Sequence, residues 1–181
     1  MAFITTDFFI DEINIPNTNQ AAISSRLTSF IKKYEAKFLL KVLGYPLNEQ
    51  FINGYAVPST ADQKWKDLAE GKVYTKLDGQ ETRWQGLINA TDKQSPIANY
   101  IYYWFTRDSH TKTTTGGEQK NKVENSDSTT PAWKQSRAWL EMKKAVIDMY
   151  DFLEANMTVY DPPKNKFQVI EQLGSVNEFG I

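Results

Sequence analysis

Apolar positions recur at helical period in three long stretches of this chain and at strand period in one short stretch. Between Asn19 and Leu43, the residues Ile23, Leu27, Phe30, Ile31, Tyr34, Phe38 and Val42 fall three or four apart. That spacing puts them on one face of a helix. Gly44 stands where a helix-ending glycine belongs, because glycine tolerates a left-handed backbone. Tyr45-Pro46 then restarts the chain as a short helix through Phe51, with Asn53-Gly54 as its stop. Asp62–Ala69 reads as another short helix, carrying Trp65 and Leu68 and closed by Gly71. Val73, Thr75 and Leu77 alternate up to Asp78-Gly79, and Thr82 and Trp84 follow. An Asp-Gly pair between alternating segments predicts a two-stranded hairpin, Lys72–Leu77 with Glu81–Leu87.

Ser95-Pro96 opens a second long helix, with Ser95 as cap and Pro96 in the first turn, where its missing N–H costs nothing. It runs to about Asp108, with Ile97, Ile101, Trp104 and Phe105 as its core stripe. Tyr100, Tyr102 and Tyr103 make it aromatic nearly all round, so it is buried on several sides or lies in an interface. Thr130-Pro131 repeats the same start, and a third helix runs from about Ala132 to Met157. Trp139, Met142, Val146, Met149, Tyr150, Leu153 and Met157 mark one face, and Asp161-Pro162-Pro163 ends it. The fold class is mainly α: a helical bundle of three principal helices with short extra helices, a small β-hairpin and a long projecting loop.

Three segments lie outside that body. Residues 1–18 read as an N-terminal arm, extended from Phe3 to Ile15, with Asn17 or Thr18 capping the helix that follows. Within the domain of residues 19–160, the stretch from Asp108 to Pro131 is polar. It holds no aromatic residue, and Val123 is its only aliphatic one. Such a stretch cannot bury enough apolar surface to offset its ordering entropy. The loop, residues 109–130, therefore reads as an arm presented to a partner, with antiparallel helices meeting at its base. Residues 161–181 form a tail with too many apolar side chains to hang free: Phe167, Val169, Ile170, Leu173, Val176 and Phe179. A short amphipathic helix over Lys166–Leu173, packed back or onto a neighbour, is predicted.

Composition narrows the function. A chain of 181 residues, 40 % hydrophobic and 13 % aromatic, suits one domain with one core. Lys plus Arg is 21 against 22 for Asp plus Glu, a formal net charge of −1. No basic stripe of the kind a nucleic-acid binder carries stands out, and Lys32-Lys33 and Lys143-Lys144 read as solvated helix faces. The absence of cysteine excludes disulfides, thiolate metal sites and cysteine nucleophiles. The N-terminus has neither the basic start nor the apolar core of a signal peptide, and no apolar run is long enough to predict a membrane span.

Candidate chemistry is sparse. His110, the only histidine, opens the polar loop and reads as a surface residue, since a serine-type triad needs a histidine in a structured pocket. Asp7, Asp11 and Glu12 lack the spacing and central glycine of a calcium loop and read as solvated charge. Thr115-Gly116-Gly117-Glu118 lacks the spacing of a phosphate-binding loop. Glu141 and Asp148 are seven apart on one helix, but the sequence shows no pocket to shift their pKa values. The tryptophans and tyrosines fall at core-like spacings without interleaved basic residues, which favours core or protein interface over base stacking. No catalytic, cofactor or metal residue is assigned, and the chain is not expected to be an enzyme. The expectation is a protein that exchanges segments with its neighbours, set against a well-packed monomer with one long loop.

Three stretches carry a resemblance: YEAKFLLKVLGYPL at Tyr34–Leu47, SPIANYIYYWFTRDSHTKTTTGGEQKNKVENS at Ser95–Ser126, and VNEFGI at Val176–Ile181. Together they resemble a family of head–tail connector or adaptor proteins from tailed phages and prophages of Bacteroidetes-type hosts. That family runs from a Tyr-x-x-Lys-Phe-Leu helix to an Asn-Tyr-x-Tyr-Tyr-Trp helix. A Thr-Thr-Gly-x-Gly-Glu loop and an Ala-Glu-Asn segment follow, and the family ends near Asn-x-Phe-Gly. This chain differs in having Thr114-Thr115-Gly116-Gly117-Glu118 and Val123-Glu124-Asn125 at the corresponding places.

The resemblance implies a helical adaptor in the virion neck, assembled in the bacterial host cytoplasm. It implies a homo-oligomeric ring, a dodecamer, between the portal protein and a tail-side neck protein, with DNA only passing through. The loop residues Thr113, Thr114, Thr115, Gly116, Gly117, Glu118, Val123, Glu124 and Asn125 would then reach a partner. In the tail, Phe167, Leu173 and Phe179 would bury apolar area on an adjacent chain. A ring enclosing DNA must not grip it, so weak and salt-insensitive DNA binding is expected. The alternatives are a stopper or tail terminator, a nucleic-acid-binding accessory protein, and, more remotely, a small hydrolase or transferase.

Overall fold

The computed structural model describes residues 2–109, 111–114, 117–120, 132–163 and 166–174, with 111–114, 117–120, 132 and 167 described by backbone alone. Helix α1 (Ala21–Gly54) is the longest element. Gly44 breaks it, at φ 70° and ψ 163°. The break is local because the chain restarts at once: Tyr45 precedes a proline, which disfavours helical torsions there, and Pro46 needs no N–H partner in a first turn. The expected stop and restart are both present, fused into one bent rod. The expected cap is not. Neither Asn17 nor Thr18 caps the helix through its side chain; Gln20 is the N-cap and makes no side-chain cap bond. Asn17 instead adopts a left-handed φ of 62°, and its carbonyl accepts the Gln20 N–H.

Helix α2 (Gln63–Glu70) ends at Gly71, and the predicted hairpin follows with shorter antiparallel strands than expected, β1 (Lys72–Thr75) and β2 (Glu81–Trp84). Their inward face is set by Tyr74 and Trp84, which are buried, while Val73 and Leu77 are exposed. The Trp84 ring stacks on Phe152, and its Nε1 donates to the Leu68 carbonyl at 2.9 Å. A marginal hairpin is thereby fastened to helices on both sides. Helix α3 (Pro96–Ser109) is capped as its sequence predicts, with the Ser95 hydroxyl oxygen accepting the Ile97 and Ala98 N–H groups.

Past α3 come strands β3 (Thr111–Thr114) and β4 (Gly117–Lys120), then α4 (Ala132–Ala155) and α5 (Lys166–Gln172). Both long neighbours run antiparallel to α3. On the α1 side, Arg26 meets Asp108, Phe30 meets Phe105 and Phe38 meets Tyr100. On the α4 side, Gln135 donates to Thr106 while Trp139 packs on Tyr100 and Tyr103. The aromatic girdle of α3 is the reason it sits between them: Tyr100, Tyr102, Tyr103 and Phe105 are all buried. The Tyr150 hydroxyl closes the triangle by donating to the Val42 carbonyl at 2.7 Å.

Three expectations are corrected. The N-terminal arm is no appendage. It folds into two 3-10 turns, Thr6–Phe8 and Asp11–Ile13, and Ile4, Phe8, Phe9 and Ile15 are each at most 4 % exposed. The Phe3 ring packs on Phe51 at 5.4 Å. The acidic residues that interrupt its apolar pattern lie on the outside, so the two 3-10 turns present a buried side and a charged side. Second, α4 ends at Ala155, ahead of the Asp161-Pro162-Pro163 stop. The Asn156 side-chain amide donates back to the Phe152 carbonyl, and Met157 leaves the core face to stand 58 % exposed. Third, the polar loop contains a paired hairpin, with Thr114 opposite Gly117. Backbone hydrogen bonds supply its order, and they require no apolar side chains.

Candidate functional site

The expected partner-binding residues divide between the hairpin and the tail. Thr113 and Thr114 lie in β3, and Gly117 and Glu118 lie in β4. Thr115, Gly116, Val123, Glu124 and Asn125 lie outside the described residues, as does His110. Among the described residues the sheet has two strands only, so the outer edge of each has no strand partner. Their packing against the body is confined chiefly to the end of α3. The result is a two-stranded arm, about 13 Å long at the usual rise per residue, carried by the junction of two antiparallel helices.

In the tail, α5 packs back onto its own chain. Leu173 and Val169 are buried at 1 % and 3 % exposure. Trp139 Nε1 donates to the Leu173 carbonyl at 2.7 Å, and Lys143 Nζ donates to the Gly174 carbonyl at 3.2 Å. Leu173 is therefore corrected from a partner contact to a core residue. The side chain of Phe167 and all of Phe179 lie outside the described residues.

Helix α4 also carries an apolar stripe that does not belong to the core. Trp133, Leu140 and Ile147 are 59 %, 52 % and 37 % exposed. They recur every seven residues, so they line up along one side of the helix about 10.5 Å apart. The signal lay in the sequence, off the main face of α4 and hidden by the stronger pattern of Trp139, Met142 and Val146.

Beside this stripe an open cleft of about 400 Å³ lies between α4, Asn99 of α3 and the 3-10 turn at Asp11–Ile13. A second of about 520 Å³ adjoins it and shares Arg137 and Glu141. The polar groups at the rim hold the N-terminal segment: Arg137 pairs with Glu12 at 2.7 Å, and Lys93 pairs with Asp7 at 2.5 Å. Asp11 and Lys93, both lining the second cleft, adopt left-handed φ values of 51° and 54°. Glu141 and Asp148 share this wall of α4. Burial pushes the Asp148 carboxyl up, while the Lys144 ammonium opposes that shift. Nothing arranged here resembles a nucleophile with its base and orienting group. Among the described residues, no group of three or more metal-ligating side chains could hold an ion.

The structure also corrects the reading of charge and aromatics. Lys33 and Lys37 each place Nζ over the Tyr34 ring, at 5.1 and 5.4 Å. Tyr34 stacks on Trp104 at 5.7 Å, and Arg107 stands over that indole at 5.9 Å. Basic and aromatic side chains are interleaved across α1 and α3 after all. Lys33, Tyr34 and Lys37 stand together in the sequence, but the Trp104 and Arg107 half of this surface lies about 70 positions away, beyond any local window.

No helix among the described residues is long and apolar enough to cross a membrane. No protein-family model, no curated protein and no solved structure matches this chain.

Proposed function

We propose that this chain is a phage virion structural protein, a head–tail adaptor that forms a ring between the portal and the tail-side components. The observation that carries the reading is the arm built from β3 and β4. It offers unpaired strand edges at the junction of α3 and α4, and strand edges recruit a neighbour through main-chain hydrogen bonds alone. A polar arm needs no other source of affinity than this, which accounts for a loop so poor in apolar residues. The Trp133, Leu140 and Ile147 stripe supplies a second contact on the helix that follows the arm. Repeating one such heterologous contact with cyclic symmetry closes a ring. The resemblance to phage adaptors supports the same reading, with the channel left for DNA and the two rims for portal and neck protein. A stopper or tail terminator would use the same kind of contact in another layer of the neck.

Light scattering on the full chain, on a deletion of residues 113–125 and on Leu140→Glu tests this. A closed ring that falls to monomers in both variants is the expected result, whether the ring forms alone or on added portal protein. A full chain that stays monomeric even with portal protein would exclude the adaptor role.

A further inference from the structure

Glu35 is the only acidic residue between Glu12 and Glu49. It is buried and turned inward, where its carboxylate accepts the Phe3 and Ile4 N–H groups. The solvent side of α1 thus has no carboxylate from Ala21 as far as Asn48, and it carries Lys32, Lys33, Lys37 and Lys41. None of these four lysines forms an ion pair among the described residues. Lys33, Lys37 and Lys41 recur every four residues, a rise of about 6 Å per step and about 12 Å in all. Two of the ammonium groups are held over Tyr34, and a ring face positions a cation without neutralising it. Because Tyr34 is itself stacked on Trp104, the lysines are partly ordered before any ligand arrives, which lowers the entropy lost on binding.

We propose that this side of α1 is a contact surface for the phosphodiester backbone of nucleic acid. A duplex presents one charge per about 3.4 Å along each strand, so a 12 Å row of ammonium groups finds phosphates in any register and any sequence. An acidic protein partner fits less well. Protein interfaces depend on aromatic or arginine anchors seated in pockets, and here Tyr34 is half-buried beneath two cations. Leu40, 48 % exposed, is the one large apolar side chain among the lysines. The near-zero net charge of the chain is then a sum over an asymmetric molecule. The binding is weak and strongly dependent on salt, in place of the salt-insensitive contact expected of a ring through which DNA only passes. This inference concerns one subunit and does not rest on ring assembly, so a chain that stays monomeric tests it equally well.

The test is fluorescence anisotropy of the full chain with a labelled 20-base-pair duplex between 50 and 200 mM NaCl. Four phosphate contacts predict a loss of about 100-fold in affinity over that range. The triple variant Lys33→Gln/Lys37→Gln/Lys41→Gln should bind more weakly, and its log–log salt slope should be shallower by about 2.7. The control triple variant Lys64→Gln/Lys72→Gln/Lys134→Gln, on other surfaces, should match the parent. Circular dichroism melts confirm that all three proteins are folded. Affinity that ignores salt, or an unchanged slope in the α1 variant, overturns the proposal. So does polyglutamate displacing the duplex at equal charge concentration, which would make the face a site for acidic polypeptide.

Discussion

Glu35 holds the N-terminal segment with one side chain. Its two oxygens lie 2.9 and 3.0 Å from the Phe3 nitrogen, and one lies 3.1 Å from that of Ile4. Replacing it by alanine leaves buried N–H groups without acceptors, at about 1–3 kcal/mol for each left dry. Urea denaturation of Glu35→Ala should show that loss. Burial raises the Glu35 pKa, and the Phe3 and Ile4 amides only partly oppose it. An acid whose folded pKa lies above its unfolded value binds more protons when folded. Stability therefore falls as pH rises from the unfolded value through the folded one. Glu35→Gln keeps an acceptor and cannot titrate, so the parent should lose stability relative to this variant over that window. Urea midpoints measured from pH 4 to pH 7 would show it, and parallel curves would exclude the effect. The position was legible in part: Glu35 falls four after Ile31 and three before Phe38, inside the apolar stripe of α1. Its ligands come from more than 30 residues away, so the sequence showed an odd carboxylate and not its partners.

At the scale of elements, the signals that proved sound were those whose physics is local. Ser95 caps α3 and also donates to the Leu87 carbonyl at 2.7 Å. Ser95→Ala should cost about 1 kcal/mol for the cap and somewhat more for the stranded carbonyl, read as a lowered melting temperature. Gly71 and Gly86 mark a place where the α2–β1 turn crosses the chain just after β2. A Cβ on Gly86, whose φ is 93°, would sit 2.5 Å from the Ala69 carbonyl oxygen. Gly86→Ala should therefore destabilise by more than the 1–2 kcal/mol of a left-handed alanine, because backbone has to move. The β3–β4 hairpin was missed for a nameable reason. Its threonines favour extended structure, but the argument from apolar content spoke only to tertiary packing. Two strands can satisfy each other's backbone with no core at all.

For the whole molecule, the decisive question is which apolar surface each segment covers. Leu173 seals α5 against Trp139, and Leu173→Ala should cost about 2–5 kcal/mol, as buried leucines do. If the tail instead worked by docking on a neighbour, that variant would leave the melting temperature of the monomer unchanged and weaken assembly alone. The Trp133–Leu140–Ile147 stripe behaves in the opposite way under the adaptor reading. Leu140→Glu should leave thermal stability within about 0.5 kcal/mol, as surface changes do, while it disrupts the oligomer. A melting curve and a mass measurement on the two variants separate core from interface. The row of lysines on α1 belongs to this scale too, since its character depends on Glu35 being drawn inward.

The sequence by itself determined the three principal helices, the Ser95 cap of α3, the β1–β2 hairpin and the short tail helix. It could do so because period, capping and turn chemistry act within a few residues of one another. Only the tertiary structure decided that the N-terminal segment belongs to the core, that Leu173 faces inward, and that β3 and β4 pair into an arm. Only the tertiary structure stacked Tyr34, the ring beneath two of the α1 lysines, on Trp104 of α3. Those outcomes depend on which of several apolar or charged surfaces come within reach after folding. That competition is settled by packing between residues distant in the chain, where sequence spacing carries no information.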